Sequence, residues 1–477
     1  MSFGSTLFTI GCAGVGLALA MLVPLVMAIA GGDTELANSF FITILLTSFV
    51  TVSFIILGGR HRKERARDHD LVFSGFLIWI FIPVIGALPL IDATQIGSLP
   101  KALFESVSAF TTTGASSIVY PELEAPAIIL WRQILSWLGG LWSLVFVVTI
   151  IAPMGIGGLS ISANALLQHS DNESTLDRYL WPFLNVLPIY TGLTFASFLL
   201  LLLGGVKPFD ALTLAMSSLS TTGFSSLSGS LSSQIPLVAQ IFVSVACLIG
   251  AIALPLWFIG LRRPWMIFKD TEFRTFITII LGMSAISVLA LGDDALTSLM
   301  QMISLATTTG FAFMERSELS NWPIIWLLFP SLLGGMALST SGGAKIWRIM
   351  ALFKLLREEL SVMSHPSSVQ FSKIGDRRID ADTRRAIGAY FIMLLFLIPL
   401  GLIVFSRNAE SFDTSWQLTV GLLSNNGASL ALTDAYSSVA NLNNLELFFG
   451  AVFMIVGRFE LLLFLVLLSP IFWRFAR

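Results

Sequence analysis

Four short segments of this sequence place polar residues directly before a glycine. They read FTTTGAS (110–116), LSTTGFS (219–225), ATTTGFA (306–312) and LSNNGAS (423–429). Threonine hydroxyls and the carbonyls of a glycine-containing loop are hard oxygen donors, which suit hard cations rather than soft transition metals. Such a set can replace the hydration shell of a cation, so the segments are candidate ion-binding sites.

The candidate ligands are the two polar residues and the glycine at the centre of each segment. Glycine fits this role because it permits positive φ and lets the backbone approach an ion closely. A single TTG beside a membrane helix is ordinarily a packing contact between small residues. Four copies at matching places favour the ion-binding interpretation. The candidates are Thr112, Thr113, Gly114, Thr221, Thr222, Gly223, Thr308, Thr309, Gly310, Asn425, Asn426 and Gly427.

The composition identifies the kind of protein that carries these segments. Of 477 residues, 55% are hydrophobic and 12% are charged, with a mean hydropathy of +0.85. Soluble domains carry about 25% charged residues, so the composition indicates an integral membrane protein. Ten apolar runs are long enough to cross a bilayer as helices. The predicted spans are 5–30, 38–58, 72–92, 126–160, 181–204, 235–261, 273–291, 322–349, 384–405 and 446–473.

Basic residues set the predicted orientation. The loop RHRKERARDHD (60–70) is taken as cytoplasmic, because Lys and Arg concentrate on that side. Alternating the ten spans then places most of the 27 basic residues inside, with both termini cytoplasmic.

The glycine segments follow stretches that are too short to span a membrane. About twelve residues of helix cover roughly 18 Å, so each stretch is predicted to be a re-entrant half-helix. The predicted N-terminal positions, thirteen residues before each glycine, are Lys101, Asp210, Thr297 and Thr414. Irregular backbone at membrane depth must be buried in protein or face water. Half-helices that enter from outside would also point their partly negative C-termini at a shared centre, which favours a cation there.

The predicted fold is therefore an all-α integral membrane protein. Two N-terminal helices precede four helix–pore-loop–helix repeats around a single-chain pseudo-fourfold pore. The predicted ranges are 1–70 for the N-terminal helices and basic loop, 71–177, 178–270, 271–350 and 384–477 for the repeats, and 351–383 for a cytoplasmic segment.

Two further features fall beneath the predicted pore. Arg458 lies deep in the last span, where an arginine costs at least about 2.5–3.5 kcal/mol, so it should line the pore as a barrier or find a partner such as Glu105. The run GGMALSTSGG (334–343) should break its helix, as a gate or, alternatively, as a close packing site. The gate candidates are Gly334, Gly335, Ser339, Thr340, Ser341, Gly342 and Gly343.

Nearly the whole chain resembles the Trk/Ktr/HKT superfamily of potassium transporters, and its two extra N-terminal spans resemble the TrkH branch. The motifs that carry the resemblance are the four glycine segments, LWRQILSWLGG (130–140), LLGGMALSTSGGAK (332–345), SHPSSV (364–369) and IVGRFELLLFL (455–465). The resemblance implies potassium bound at the four segments, without an organic cofactor. It also implies a homodimer with one pore per subunit. Sodium-selective members replace the first filter glycine, here Gly114, by serine.

The resemblance further implies a cytosolic nucleotide-binding regulatory subunit of TrkA type. The basic, amphipathic stretch 351–385 is a candidate docking site for it, or a helix on the membrane surface. A sodium or poorly selective monovalent cation transporter is the alternative within the superfamily. A separate hypothesis is a solute symporter with a midplane site, but paired broken helices in two halves would be expected for it, and four half-helices fit a pore better. A membrane enzyme would need clustered acids or histidines. The four histidines instead lie in predicted cytoplasmic loops, and no feature indicates nucleic acid binding.

Overall fold

The computed structural model describes residues 2–62, 64–154, 173–319, 322–365, 373–375, 377–407, 411–432, 439–470 and 473. Several predicted features lie outside these ranges: the end of the fourth span, His169, most of SHPSSV and the last four residues. Regular structure in the described chain is almost entirely helical. The exception is an antiparallel pair of two-residue strands, β1 (Lys373–Ile374) and β2 (Arg377–Arg378).

The chain begins with a hairpin of two long apolar helices, α1 (Phe3–Ala30) and α2 (Thr34–Gly58). The Asp33 carboxylate caps α2 by accepting the Leu36 N–H at 3.0 Å, which satisfies one of the free amides of the first turn. The two helices pack on each other, and both also contact the first repeat, α2 through the turn Leu88–Asp92.

Four successive sets of helices follow, each with a long helix, a short helix, a glycine segment and a further helix that is broken in sets two to four. The first set is α3 (Asp68–Gly86), α4 (Leu99–Phe110) and α5 (Pro126–Phe146). The second is α6 (Thr175–Leu203), α7 (Pro208–Ser220), α8 (Leu237–Ala251) and α9 (Leu254–Arg262). The third is α10 (Thr271–Leu291), α11 (Ala295–Ala306), α12 (Ile324–Leu333) and α13 (Ile346–Ser364). The fourth is α14 (Ala381–Phe405), α15 (Phe412–Leu423), α16 (Asn444–Phe459) and α17 (Leu461–Leu468).

Seven helices of the described chain are long and apolar enough to cross a membrane, or nine when each bent pair is taken as one span. Each of the predicted spans 235–261 and 446–473 contains a bent pair of helices rather than one continuous helix. The first bends by 113° between α8 and α9, and the second by 107° at Glu460. Pro255 accounts for the first break, because proline cannot donate to the preceding turn. Glu460 has a φ of 78°, which a right-handed helix cannot contain.

The four short helices begin three residues earlier than predicted. Their N-caps are Ser98, Lys207, Asp294 and Ser411, so Lys101, Asp210, Thr297 and Thr414 lie inside the first turn instead. In two of the four, the earlier cap side chain accepts the backbone N–H of the residue that was predicted to cap. Those bonds are Thr297 to Asp294 at 3.1 Å and Thr414 to Ser411 at 3.2 Å.

The packing of the short helices arranges the four sets in a closed ring. Each short helix contacts the long helix and the following helix of its own set. Each also contacts a helix of the preceding set: α7 packs on α5, α11 on α8, and α15 on α12. The ring closes because α4, from the first set, packs on α16 of the last.

Both ends of the described chain lie beside the basic loop 60–70. The Ser2 backbone N–H donates to the Asp70 carboxylate at 2.9 Å, and the Trp473 ring contacts Phe73 with centroids 5.6 Å apart. Both described ends of the chain therefore lie on the same side of the protein as this loop.

Candidate ion-binding site

The four glycine segments form a ring in which each glycine lies against the next segment. A side chain added at Gly114 would collide with the Thr222 carbonyl, and one at Gly223 with the Thr309 carbonyl. One at Gly310 would meet Asn426, and one at Gly427 would meet Ala115, back in the first segment. The structure thus brings the twelve predicted ligand residues together, and all four positions require glycine for space.

Each short helix ends in the same hydrogen-bonded turn at its glycine segment. The N–H immediately before the glycine donates to the carbonyl five residues back, at 2.8–3.0 Å. This bond belongs to the Schellman motif, which ends helices with one residue in the left-handed conformation. The four bonds run from Thr113 to Ser108, Thr222 to Ser217, Thr309 to Ser304, and Asn426 to Gly421.

The left-handed position is filled by threonine in three segments. Thr112, Thr221 and Thr308 have φ values of 55°, 55° and 58°. A β-branched residue there is a genuine outlier, and such strain costs about 1–3 kcal/mol. Asn425 occupies the same place in the fourth segment with φ 52°, and asparagine is one of the few residues that tolerate it.

The glycines differ between segments in backbone conformation. Gly114, Gly223 and Gly310 have φ values of 78°, 79° and 80°, as predicted from the freedom of glycine. The prediction is wrong for Gly427, which is absent from the positive-φ residues of the described chain and begins the helical turn Gly427–Leu432. Position 427 therefore requires glycine only because a side chain there would collide with Ala115.

Side-chain contacts separate the fourth segment further. The first three segments each pair two buried hydroxyls, at 2.7–2.9 Å. In the fourth, Asn425 Nδ2 instead donates to Thr113 Oγ1 at 2.8 Å and to the Met454 carbonyl at 2.9 Å, and Asn426 Nδ2 donates to Ser331 Oγ at 2.5 Å. The Gly427 N–H donates to the Thr113 carbonyl at 2.7 Å. The asparagine amides thus fasten the fourth segment to its neighbours.

Three glycines that were not among the predicted site residues support the ring from below. Gly139, Gly250 and Gly457 lie so close to the last turn of a short helix that an added side chain would collide with its carbonyls. The carbonyls are those of Phe110, Leu219 and Leu423, each four residues before a segment glycine. The recurrence of a glycine 25 to 30 residues after each of these segment glycines was the sequence signal that could have identified them.

The predicted helix break lies beneath the ring and is bonded to it. The helix ends at Leu333 and restarts at Ile346, and residues 334–345 between them are irregular. The Gly342 N–H donates to Thr308 Oγ1 at 2.7 Å, and Thr221 Oγ1 donates to the Thr340 carbonyl at 2.9 Å. The Gly343 N–H donates to the Ser424 carbonyl at 2.8 Å. The loop 334–345, hereafter the broken loop, is therefore held by segments two, three and four.

Arg458 is bound to the broken loop from the other side. Its guanidinium donates to the Thr340 and Ser341 carbonyls at 2.5 and 3.0 Å and to Ser143 Oγ at 2.8 Å. The predicted partner Glu105 is wrong, because Glu105 pairs with Arg132. Arg458 also lies at the end of α16 rather than in the middle of a continuous span.

A small cavity of about 30 Å³ adjoins this arginine, room for about one water molecule. Its charged lining is mostly basic, with Lys345 and Arg348 beside Arg458. Glu460 is the acid of the lining and pairs with Arg348 at 2.6 Å. Positive charge therefore gathers immediately below the ring.

The described residues contain no group of three or more His, Cys, Asp or Glu side chains arranged to hold a metal. The two cysteines, Cys12 and Cys247, are both free. Oxygen donors from backbone and hydroxyl groups are thus the available ligands of the ring, and these suit a hard monovalent cation.

These features define a multi-pass membrane protein built around a closed, four-part ring of oxygen donors. The family TrkH, described as cation transport protein, matches residues 38–267 and 263–473, so the chain belongs to the TrkH family of cation transport proteins. Members of this family are transporters rather than enzymes.

Several named proteins are similar to this chain along nearly its whole length. It is 30% identical to the Trk system potassium uptake protein TrkH of Salmonella typhimurium, over 95% of this chain and 96% of that protein. It is also 30% identical to TrkI of Halomonas elongata, over 96% and 94% of the two chains. The crystal structure of the potassium transporter TrkH from Vibrio parahaemolyticus superposes with a TM-score of 0.87 at 27% identity, covering 99% of this chain and 100% of that one.

Proposed function

We propose that this chain takes up potassium across the bacterial cytoplasmic membrane. The observation that carries the proposal is the ring in which each of four glycines lies against the next segment. Its relatives in Salmonella typhimurium and Halomonas elongata are named potassium uptake proteins of the Trk system. Both termini are then cytoplasmic, on the face of the basic loop.

The potassium ion sits in the ring and is bound by oxygen atoms of the four segments. The twelve central residues supply carbonyls and hydroxyls, and no organic cofactor takes part. Four short helices end at the ring, and their C-terminal partial charges favour a cation there. Potassium selectivity requires a ring that does not shrink around a smaller ion, and the contacts between successive segments resist that change.

The broken loop acts as the gate, and Arg458 acts as a barrier that holds it closed. Three of the four segments bond directly to the loop, and Arg458 adds bonds to two of its carbonyls. Removing this arginine frees the loop and removes a positive charge from the cation path.

Arg458→Ala should therefore raise the rate of potassium flux several-fold in proteoliposomes. Arg178→Ala, an arginine at the cytoplasmic start of α6, is the matched control and should leave the rate unchanged. Lower flux with normal membrane accumulation would show that Arg458 supports the structure rather than restrains conduction.

The cytoplasmic part of α13 offers a surface for partner chains. Its exposed apolar side chains recur at helical spacing, as they do in helices that pack on a partner. A second copy of this chain covers this stripe in a homodimer, and a TrkA-type nucleotide-binding subunit docks on the adjoining cytoplasmic segment. The stripe consists of Leu352, Phe353, Leu356, Leu360 and Met363.

A sodium or poorly selective monovalent cation transporter is the second candidate, and one observation favours it. The Thr113 carbonyl accepts the N–H groups of Gly427 and Ala428, at 2.7 and 3.2 Å, which occupies a carbonyl beside the first glycine. One ligand of the ring is thereby weakened, and weaker coordination discriminates less between cations.

Growth of cells that lack potassium uptake tests the proposed function. Expression of this chain with a regulatory partner should restore growth at low external potassium. Normal membrane accumulation without growth would refute the assignment. Restored growth together with rapid sodium entry would instead support the poorly selective alternative.

A further inference from the structure

A buried ion pair lies directly behind the first glycine segment. Glu105, on α4, and Arg132, on α5, approach to 2.7 Å between Oε1 and Nη2. Their side chains are 0% and 2% exposed. Loss of one member of such a buried pair leaves an uncompensated buried charge.

The pair holds the first segment through three further hydrogen bonds. Glu105 Oε1 accepts the Ser116 hydroxyl at 2.8 Å, and Oε2 accepts the Ser117 N–H at 2.9 Å. Arg132 Nη2 donates to Ser116 Oγ at 2.9 Å. Ser116 and Ser117 follow Gly114 by two and three residues, so the carboxylate fixes the chain where it leaves the ring.

The same pair also reaches the second segment. The Arg132 guanidinium lies over the Phe224 ring, with its Cζ atom 4.1 Å from the ring centroid. Phe224 directly follows Gly223, and its carbonyl accepts a hydrogen bond from the neighbouring Gln133 at 3.1 Å. The cation–π contact and the ion pair therefore connect two adjacent quarters of the ring through one arginine.

The other repeats lack a charge at the position that Glu105 occupies, although in the second repeat the Asp210 carboxylate accepts the Ser226 hydroxyl at 2.6 Å. The residue nine positions before the segment glycine is Glu105 in the first repeat, and in the third it is Gln301. Gln301 Oε1 accepts the Phe313 N–H at 2.8 Å, which is the same bond made by a neutral amide. Leucine fills this place in the second and fourth repeats, at Leu214 and Leu418.

We propose that Glu105 and Arg132 are positioning residues that set the discrimination between potassium and sodium. They fix the spacing of the first two segments, so that the ring keeps the size of the larger ion. This inference rests on the proposed potassium function. In the third repeat, the neutral amide of Gln301 makes the corresponding hydrogen bond.

The experiment compares potassium and sodium flux in proteoliposomes for the pair variant Glu105→Gln/Arg132→Gln. The ratio of potassium to sodium flux should fall at least fivefold, while potassium flux persists. Glu105→Gln alone leaves the arginine unpaired beside the cation path and should lower potassium flux more than the pair variant does. The control removes a pair at the cytoplasmic ends of two helices, Asp68→Asn/Arg178→Gln, and should keep the wild-type ratio.

A wild-type flux ratio in the conducting pair variant would overturn the proposal. If the pair variant does not accumulate in the membrane, Glu105→Asp provides the test. This change keeps the negative charge, but the shorter side chain reaches less far toward the Ser117 N–H. A lowered ratio in Glu105→Asp supports the proposal, and an unchanged one overturns it. Failure of the potassium function is distinguishable, since the wild-type chain itself would then conduct no potassium.

Discussion

Three glycine segments of the ring are alike, and the fourth is built differently. The first three have a strained threonine, a paired hydroxyl and a glycine at positive φ. The fourth has an unstrained asparagine, amide bonds to neighbouring helices and a glycine without positive φ in the described chain. The ring therefore contains two structural types of glycine segment.

The difference also appears in the contacts that the segments make. Asparagine adopts the left-handed conformation at a lower energetic cost than threonine does. Threonine nevertheless occupies it three times, and two of these hydroxyls, at Thr221 and Thr308, bond the broken loop. The fourth segment instead closes the ring by bonding the first at Thr113.

The largest expected effect comes from adding a methyl group to the segment glycines. Gly223→Ala combines a left-handed conformation, at about 1–2 kcal/mol, with a collision against the Thr309 backbone. Potassium flux should fall more than tenfold in proteoliposomes. Gly427→Ala is the matched variant in the fourth segment, where only the collision applies, and should lose less. Equal losses of potassium flux in the two variants would show that the difference in backbone conformation between Gly223 and Gly427 has no effect on conduction.

The fourth segment can be converted toward the other three by Asn425→Thr. This change places a β-branched residue at φ 52° and removes two amide hydrogen bonds. The free energy of unfolding should fall by about 2–5 kcal/mol, from about 1–2 kcal/mol of strain and roughly 0.5–1.5 kcal/mol for each of the two lost bonds. Thermal denaturation in detergent measures it. A variant as stable as the wild type would show that the asparagine is not an anchor.

The smallest expected effect concerns a single hydroxyl group. Thr308→Val removes the acceptor of the Gly342 N–H and should destabilise the closed broken loop by about 1–3 kcal/mol, which appears as higher basal potassium flux. Thr278→Val is the control, because the Thr278 hydroxyl lies outside the ring and donates to the Arg274 carbonyl of its own helix at 2.8 Å. Its basal flux should match the wild type. The same rise in flux in both variants would show that the hydrogen bond between Thr308 and Gly342 does not hold the broken loop closed.

Much of this architecture follows from periodic and repeated features of the sequence. The apolar runs predict the long helices, since only length and composition matter for crossing a bilayer. The four short helices and the break at 334–345 follow from glycine and from stretches that are too short to span. Comparing the repeats, rather than any one of them, identifies the ring residues.

The remaining features depend on contacts between distant parts of the chain. The partners of Arg458 could not be predicted, because two of the three are backbone carbonyls that carry no sequence signal, and the third is the distant Ser143 hydroxyl. Glu105 was a plausible partner until the fold placed it against Arg132. The bend at Glu460 also has no local signal, since a glutamate at positive φ is held there by Arg348 from another helix.

Cation flux in proteoliposomes tests the central claim most directly. The purified chain should carry potassium and rubidium well ahead of sodium, and Gly114→Ser should raise sodium flux relative to potassium. Both results follow if the four glycine segments form the selective part of the pathway. A wild-type chain that does not prefer potassium, or a Gly114→Ser variant with unchanged selectivity, would contradict this account of the ring.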